Sequence, residues 1–353
     1  MELSYAYHEI EERLAKIDFP ALFRGFCRFP FALYNDSQAY IDGKTIEKPA
    51  EFLGNTAIRY NGGYTAIWKL MEESYDFDVL ASKIVHEMLH AFQNVSGEAR
   101  WADERAAMIK YRYQEANFAA RLEEAACMRK CLAGNEPEAF IRLLGLRKAR
   151  MLRFPYEYDY EARIEQIEGT AHFVEQEALE QLNPEKAEKA REQMLEALSD
   201  PARYLPVRAV TYLSGAAFIA CLRKYTDFDT DGFTDTPFSV AALAQAQPCD
   251  IPESDERVAA CIAGWRKKTQ DIIDRAIEKG DLILEGSYRL VAWNVYNAVW
   301  DGRYAVITAF AGYYEGDELP KLDEELLARM KIINCDCIAE VDADLRLTRV
   351  WRR

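Results

Sequence analysis

The chain has 353 residues, and half of them are hydrophobic, so it has enough apolar material to bury a large core in one large or two modest domains. It carries 44 Lys and Arg against 59 Asp and Glu, a formal net charge of −15. A protein this acidic repels nucleic acid and anionic membrane surfaces, so we expect neither as a partner.

The N-terminal residues 1–20 are acidic where an export signal needs a basic start and an apolar core. The longest nearly apolar run, 209–222, is too short to span a bilayer. The cysteines show no framework spacing, so we expect reduced thiols and a cytoplasmic location. Two close pairs, 127/131 and 335/337, would allow a four-thiolate zinc site, but neither has the usual two-residue spacing, and buried thiols are favoured.

The first half of the chain begins with a predicted amphipathic helix at 4–17 and strands within 30–70, where Asn61-Gly62 indicates a hairpin. A helix is predicted at 76–95, with Asp76 or Asp78 as its N-cap and Gly97 at its end. Further helices are predicted at 98–133, 137–153, 159–182, 185–198 and 203–225. The prolines at 137, 155, 184 and 201 fall between these helices or in a first helical turn.

The second half changes character. Residues 227–280 are predicted to be a Gly-, Pro- and Asp-rich linker followed by a helix at 255–279, and 281–353 is β-rich. The expected fold class is α+β: a mostly helical core at 1–226 with an N-terminal strand region, and a C-terminal β-rich region.

Residues 83–94, KIVHEMLHAFQN, contain two of the four histidines of the chain. His86 and His90 lie four apart, so on a helix both imidazoles face one side and can bind one metal ion. Glu87 points beside that site, where it can take a proton from a water at the metal. The alternative is an ordinary helix with two buried histidines, but buried polar side chains need partners and histidine is scarce here.

This His-Glu-x-x-His pattern resembles that of the zincin metallopeptidases. Residues 168–175, EGTAHFVE, are similar to the Glu-Gly-x-Ala segment that supplies a third ligand in several families of the gluzincin branch. The resemblance covers these two helices, extends at most to the strands before them, and does not include the C-terminal region. It implies a Zn²⁺ site held by His86, His90 and Glu168, with Gly169 letting its helix approach the site closely.

Neighbouring acids and a third histidine leave alternatives open. The separation between the motif and Glu168 is long for this family, so Glu104, on the next predicted helix, is the alternative third ligand. His172 shares a face with Glu168. It is expected to orient that ligand or a substrate group, or to be a hydrogen-bonded core histidine. A less favoured alternative is that His172 is itself a ligand and Glu168 lies behind it. Glu175 continues the face and is expected to hold the free ring nitrogen of a ligand histidine.

A metallopeptidase also needs a hydrogen-bond donor aimed at the developing oxyanion. Tyr204, Arg208 and Tyr212 recur at four-residue spacing on one predicted helix, and Tyr212 to Gly215 is similar to a Tyr-x-x-Gly segment of some Glu-Gly-x-Ala peptidases. Tyr212 is the favoured donor and Arg208 the next, against the alternative that the stripe packs the core. In zincins the strand before the motif helix commonly pairs with extended substrate, and residues 56–70 occupy that place.

The sequence therefore predicts a zinc-dependent metallopeptidase that hydrolyses a peptide or protein substrate, with Glu87 as general base. One alternative is a zinc-binding protein that has lost turnover and acts as a sensor or interaction module. Glu87 disfavours it, because metal binding alone does not need that residue. A purely structural protein with an accidental motif is the other alternative.

Overall fold

The computed structural model of the protein describes residues 1–353 except 233, 317, 319–325, 327 and 328. About 51% of the chain is helical and 18% is strand, arranged as an N-terminal sheet, a helical body and a C-terminal sheet. The predicted α+β class is therefore confirmed. In the described part of the chain no helix is both long and apolar enough to cross a membrane.

The N-terminal sheet has the strand order β3-β2-β1-β5-β4, with β1 and β5 parallel and β4 at one edge. Its elements are α1 (Leu3–Leu14), α2 (Phe19–Leu22), β1 (Phe31–Tyr34), β2 (Gln38–Ile41), β3 (Lys44–Glu47), β4 (Thr56–Tyr60) and β5 (Gly63–Lys69). Asn61 and Gly62, with φ of 50° and 85°, form the predicted two-residue turn between β4 and β5.

The helical body follows. Its elements are α3 (Phe77–Val95), α4 (Glu104–Lys110), α5 (Glu115–Ala133), α6 (Pro137–Arg153), α7 (Pro155–Ile164), a π-helical segment (Glu165–Gly169), α8 (Thr170–Leu182), α9 (Pro184–Leu198), a 3₁₀ turn (Pro201–Tyr204), α10 (Val207–Tyr225), α11 (Phe238–Ala241) and α12 (Glu256–Lys279). The bounds of α6 coincide with those predicted, and α3 and α12 begin one residue later than predicted.

The predicted single helix at 98–133 is wrong, because its first residues form a loop and two helices follow. Glu98 accepts hydrogen bonds from both the backbone N–H and the guanidinium of Arg100, and the pair is buried, which holds this stretch out of a helix. Asp103 then caps α4 by accepting from the backbone N–H of Ala106 at 3.0 Å. Tyr111 leaves the helical conformation after α4.

The predicted helix at 203–225 begins instead at Val207, directly after Pro206. Tyr204 consequently lies in the preceding 3₁₀ turn, where its buried hydroxyl donates to the carbonyl of Leu198 at 2.6 Å. Tyr204 is therefore separated from Arg208 and is a packing residue of the core.

A buried ionic cluster holds the helices of the body together. Glu165, in the π-helical segment, accepts two hydrogen bonds from Arg147 at 2.7 and 2.8 Å and one from Ser214 of α10 at 2.7 Å. Ions removed from water must be paired in this way to be tolerated. The members of the cluster are Arg121, Glu124, Arg147, Arg150, Glu161 and Glu165.

Two glycines let α10 cross the π-helical segment at very short range. A methyl group added to Gly169 would lie 2.7 Å from the Cα of Gly215, and one added to Gly215 would lie 2.8 Å from the Cα of Gly169. The expectation that Gly169 permits close approach to the metal site is thus corrected: it permits the approach of α10.

The C-terminal sheet has the strand order β10-β9-β6-β12-β11-β8-β7. Its strands are β6 (Leu282–Trp293), β7 (Val299–Trp300), β8 (Tyr304–Ile307), β9 (Ala311–Tyr314), β10 (Lys331–Ile333), β11 (Cys337–Val341) and β12 (Arg346–Arg352). Met108 and Ile109 of α4 pack on one side of this sheet. Ile273 and Ala276 of α12 pack in a second hydrophobic cluster with Val306, Ile338 and Trp351 of the sheet.

Part of the predicted linker packs into the core of the helical body. Phe238 and Leu243 are buried there, and the backbone N–H of Phe238 donates to the side chain of Gln166 at 2.9 Å. These residues are apolar enough to be buried, although the Gly-, Pro- and Asp-rich sequence around them indicated a loop.

We predict that Gly215→Ala lowers the free energy of unfolding by about 1–3 kcal/mol, because the new methyl group meets backbone atoms that cannot move aside. Urea unfolding measures this change. Gly264→Ala is the matched control: Gly264 lies in α12 with open space around it, so alanine there is neutral or stabilises by up to about 1 kcal/mol. Equal stabilities of the two variants would contradict the close contact between Gly169 and Gly215.

Candidate metal centre

Helix α3 carries the His-Glu-x-x-His pattern into the interior. Asp76 caps the helix by accepting from the backbone N–H groups of Asp78 and Val79 at 3.1 and 3.3 Å. Ile84, Val85, Met88 and Leu89 of α3 are buried in the core. Helix α8 packs along α3, and the π-helical segment leads into α8.

Three side-chain donors converge at one point. Glu168 Oε2 lies 3.2 Å from His90 Nε2 and 3.6 Å from His86 Nε2. Ligand atoms placed about 2.0–2.2 Å from a tetrahedrally coordinated zinc are themselves about 3.3–3.6 Å apart. Glu168 Oε2 is therefore close to ligand spacing from each imidazole nitrogen, the three donor atoms all lie within 4.8 Å of one another, and each residue is largely buried.

Outer hydrogen bonds orient both imidazoles. His86 Nδ1 lies 3.0 Å from Glu175 Oε2, and His90 Nδ1 lies 2.8 Å from Gln93 Oε1. With a proton on each Nδ1, both Nε2 lone pairs point toward Glu168, as metal binding needs. Sequence reasoning named Glu175 for this role and missed Gln93, although an amide one turn after a ligand histidine is a readable signal.

The electrostatics of the group favour a cation. Burial lowers the pKa of the His86 imidazole, but hydrogen bonds with Glu168 and Glu175 outweigh it and raise the pKa to about 10. Burial raises the pKa of Glu168, yet the two histidines and Arg208 hold that pKa well below its usual range. Positive charge placed among these side chains is therefore strongly stabilised, whether it comes from protons or from a metal ion.

Arg208 holds the other oxygen of Glu168. Its Nη2 donates to Glu168 Oε1 at 2.9 Å, and its Nη1 donates to Glu104. Glu104 also accepts a hydrogen bond from the hydroxyl of Tyr160 at 2.8 Å. Arg208 therefore lies between Glu104, the alternative third ligand, and Glu168, so Glu104 does not join the three donors. No metal-ligating group of the described residues includes it.

His172 and Tyr212 lie next to the site without reaching its centre. His172 Nδ1 is 3.2 Å from Glu175 Oε2, so Glu175 bonds two histidines at once. The expectation that His172 orients Glu168 is corrected to contact with Glu175. The Tyr212 hydroxyl lies 3.0 Å from that of Tyr296, a residue of the C-terminal region.

A cleft of about 630 Å³ opens above the three donors. Glu87, which is buried, lines it beside the ligand residues, and burial raises the pKa of its carboxyl group. The cleft is lined by Asn55, Thr56, Ala57, His86, Glu87, His90, Asn94, Trp101, Glu168 and Tyr296. Sequence reasoning missed Tyr296, because nothing in the sequence around it forms a motif.

Edge strand β4 borders this cleft. Tyr60 and Gly63 flank the two-residue turn as a hydrogen-bonded pair. Because paired and unpaired positions alternate along antiparallel strands, the backbone N–H and C=O groups of Ala57 and Arg59 face the free edge. The strand thus offers main-chain hydrogen bonds to an extended chain lying in the cleft.

The four-thiolate alternative finds no support among the described residues, because their metal-ligating groups contain no cysteine. Cys127 and Cys131 lie in α5, whereas Cys335 and Cys337 lie in the C-terminal sheet region.

Comparison with protein-family models, with curated proteins and with solved structures gave no match.

We predict that Glu168→Ala lowers zinc affinity by more than the ~10–100-fold typical of losing an outer partner, because it removes a donor atom. Competition with a chelator measures the affinity. Glu104→Gln should cause a smaller loss, and Glu180→Ala, on the outer part of α8, should cause none. A larger loss from Glu104→Gln than from Glu168→Ala would contradict the ligand set.

We also predict that Gln93→Ala lowers zinc affinity by ~10–100-fold, because it removes the acceptor that fixes the tautomer and orientation of His90. The same chelator competition applies. Gln181→Ala is the control, since that glutamine is exposed and its hydrogen bonds within the described part of the chain join it to Asp18. The assignment fails if the two variants bind zinc equally well.

Proposed function

We propose that the protein is a zinc-dependent metallopeptidase. The observation that carries the proposal is that one carboxylate oxygen of Glu168 lies 3.2 and 3.6 Å from the Nε2 atoms of His90 and His86, with Glu87 in the same cleft. Nitrogen and oxygen donors in this number leave a tetrahedral zinc one open position for water or substrate. A site that only stores or senses metal has no need of Glu87.

The residues fit zinc in their donor chemistry as well as in their spacing. The outer hydrogen bonds of His86 and His90 turn each ring so that Nε2 faces Glu168, and the pKa of Glu168 is held well below its usual range. A metal ion would therefore replace the Nε2 protons between two oriented imidazoles and an ionised carboxylate. Bound zinc supplies a Lewis acid that polarises the substrate carbonyl and makes water more acidic.

Glu87 is the proposed general base. Its carboxylate takes a proton from the attacking water as the oxygen adds to the carbonyl carbon, and it delivers that proton to the nitrogen of the leaving amine as the C–N bond breaks. Burial already raises the pKa of Glu87, which brings the base strength of this carboxylate nearer to what proton transfer at neutral pH needs.

The proposed substrate is an extended peptide segment paired with β4. Main-chain groups of Ala57 and Arg59 would bond the substrate backbone, and Trp101 and Tyr296 would flank its side chains. The cysteines of the described chain are all free thiols, which is typical of a reducing compartment, so we place the proposed activity in the cytoplasm.

We predict that Glu87→Gln keeps zinc and loses peptide hydrolysis by at least ~10²-fold, because the amide preserves shape and removes basicity. A peptide-library screen on zinc-loaded wild-type protein identifies the substrate, and the variant is then assayed on that peptide. Glu180→Gln serves as the control for loss of a carboxylate elsewhere.

Turnover by the Glu87→Gln variant comparable to that of the wild type would contradict the proposed mechanism. Zinc binding by the wild type without cleavage of any peptide in the library would favour the alternative of a zinc-binding sensor or interaction module. Absence of bound zinc would favour the purely structural alternative.

A further inference from the structure

Tyr296 is the contribution of the C-terminal sheet to the cleft, among the described residues that line it. It lies in the turn between β6 and β7, and its side chain is about half exposed, at 47%. Burial and the negative charge of Glu168 raise the pKa of the Tyr296 hydroxyl. A phenol in this position faces whatever occupies the space above the three donors.

The two donors expected from the sequence are placed differently. Both terminal nitrogens of Arg208 are engaged, one by Glu104 and one by Glu168, so this guanidinium holds a ligand in place. Tyr212 does not line the cleft, and its hydroxyl reaches Tyr296 at 3.0 Å. If Tyr212 donates in this contact, the hydroxyl hydrogen of Tyr296 is left for a group in the cleft.

The turn that carries Tyr296 is held on several sides. The backbone N–H of Tyr296 donates to Asn294 Oδ1 at 3.1 Å, and Asn294 Nδ2 donates to Thr308 Oγ1 at 3.3 Å. The guanidinium carbon of Arg208 lies 5.7 Å from the ring centroid of Tyr296 and 5.6 Å from that of Tyr212. Side chains held in this way keep a fixed geometry, which transition-state stabilisation requires.

We infer that Tyr296 is a catalytic residue that donates a hydrogen bond to the oxyanion, and that Tyr212 is a positioning residue behind it. The inference rests on the proposed peptidase function. As water adds to the carbonyl carbon, the C=O π electrons move to the carbonyl oxygen, and the O–H of Tyr296 bonds that oxygen while keeping its proton. The bond weakens again when the C–N bond breaks and the carbonyl re-forms.

The test compares Tyr296→Phe with Tyr212→Phe in the full-length, zinc-loaded chain, on the peptide found by the library screen. Tyr296→Phe should lower kcat by ~10–1,000-fold with little change in KM and unchanged zinc affinity. Tyr212→Phe should lower kcat by less than ~10-fold, because the donor itself remains. Tyr304→Phe, in β8 of the same sheet, is the control and should leave kcat within about twofold.

A second readout does not depend on turnover. A library of phosphinic peptides, whose tetrahedral phosphinate resembles the oxyanion, is screened for calorimetric binding to zinc-loaded protein. Tyr296→Phe should weaken binding of the best phosphinic peptide by about the factor lost in kcat, and Tyr304→Phe should not.

The outcomes separate this inference from the proposed function. Normal turnover and normal phosphinate binding by Tyr296→Phe, or a larger loss from Tyr212→Phe, would overturn the role of Tyr296 and leave the peptidase proposal standing. Phosphinate binding that depends on Tyr296, in a wild type that cleaves no peptide, would support the role of Tyr296 and count against turnover. A wild type that neither cleaves peptides nor binds phosphinates overturns both.

Discussion

The contact between Gly169 and Gly215 decides which side chains meet at the candidate metal centre. Glu168 directly precedes one glycine, and Arg208 and Tyr212 precede the other by about two turns and one turn of α10. With no Cβ at either position, the two backbones touch, and Arg208 Nη2 comes to 2.9 Å from Glu168 Oε1. A methyl group at the crossing would separate the ligand helix from the residue that holds its carboxylate.

The π-helical segment explains how two glutamates three residues apart serve different purposes. In an α-helix, Glu165 and Glu168 would share a face. A π-helical turn contains more residues, so the two side chains diverge: Glu165 points to Arg147 and Ser214 in the buried ionic cluster, and Glu168 points to the histidines. The cluster fixes the backbone from one side, which lets the other side present a ligand to the cleft.

The sequence predicts those parts of the site that are local. His86, Glu87 and His90 lie within one and a half turns of one helix, so spacing alone places them together. Gly215 faces Gly169 only because α10 crosses a distant segment, and no periodicity reports such a crossing. Tyr296 reaches the cleft through the packing of an entire sheet. The loop at 98–103 was missed for the same reason, because the Glu98–Arg100 ion pair is buried where Arg100 also donates to the carbonyl groups of Gly232 and Thr236, far along the chain.

The C-terminal sheet is joined to the candidate metal centre through a short series of contacts. Met108 and Ile109 of α4 pack against the sheet, and Glu104 at the start of the same helix pairs with Arg208. Arg208 in turn holds Glu168 and lies beside the ring of Tyr296. A displacement of the sheet would therefore move α4, loosen the ion pair at Arg208 and withdraw Tyr296 from the cleft together. In the proposed site, the C-terminal region would for this reason both line the cleft through Tyr296 and support Glu168 through α4 and Arg208, so the donors of α3 alone would not make a complete site.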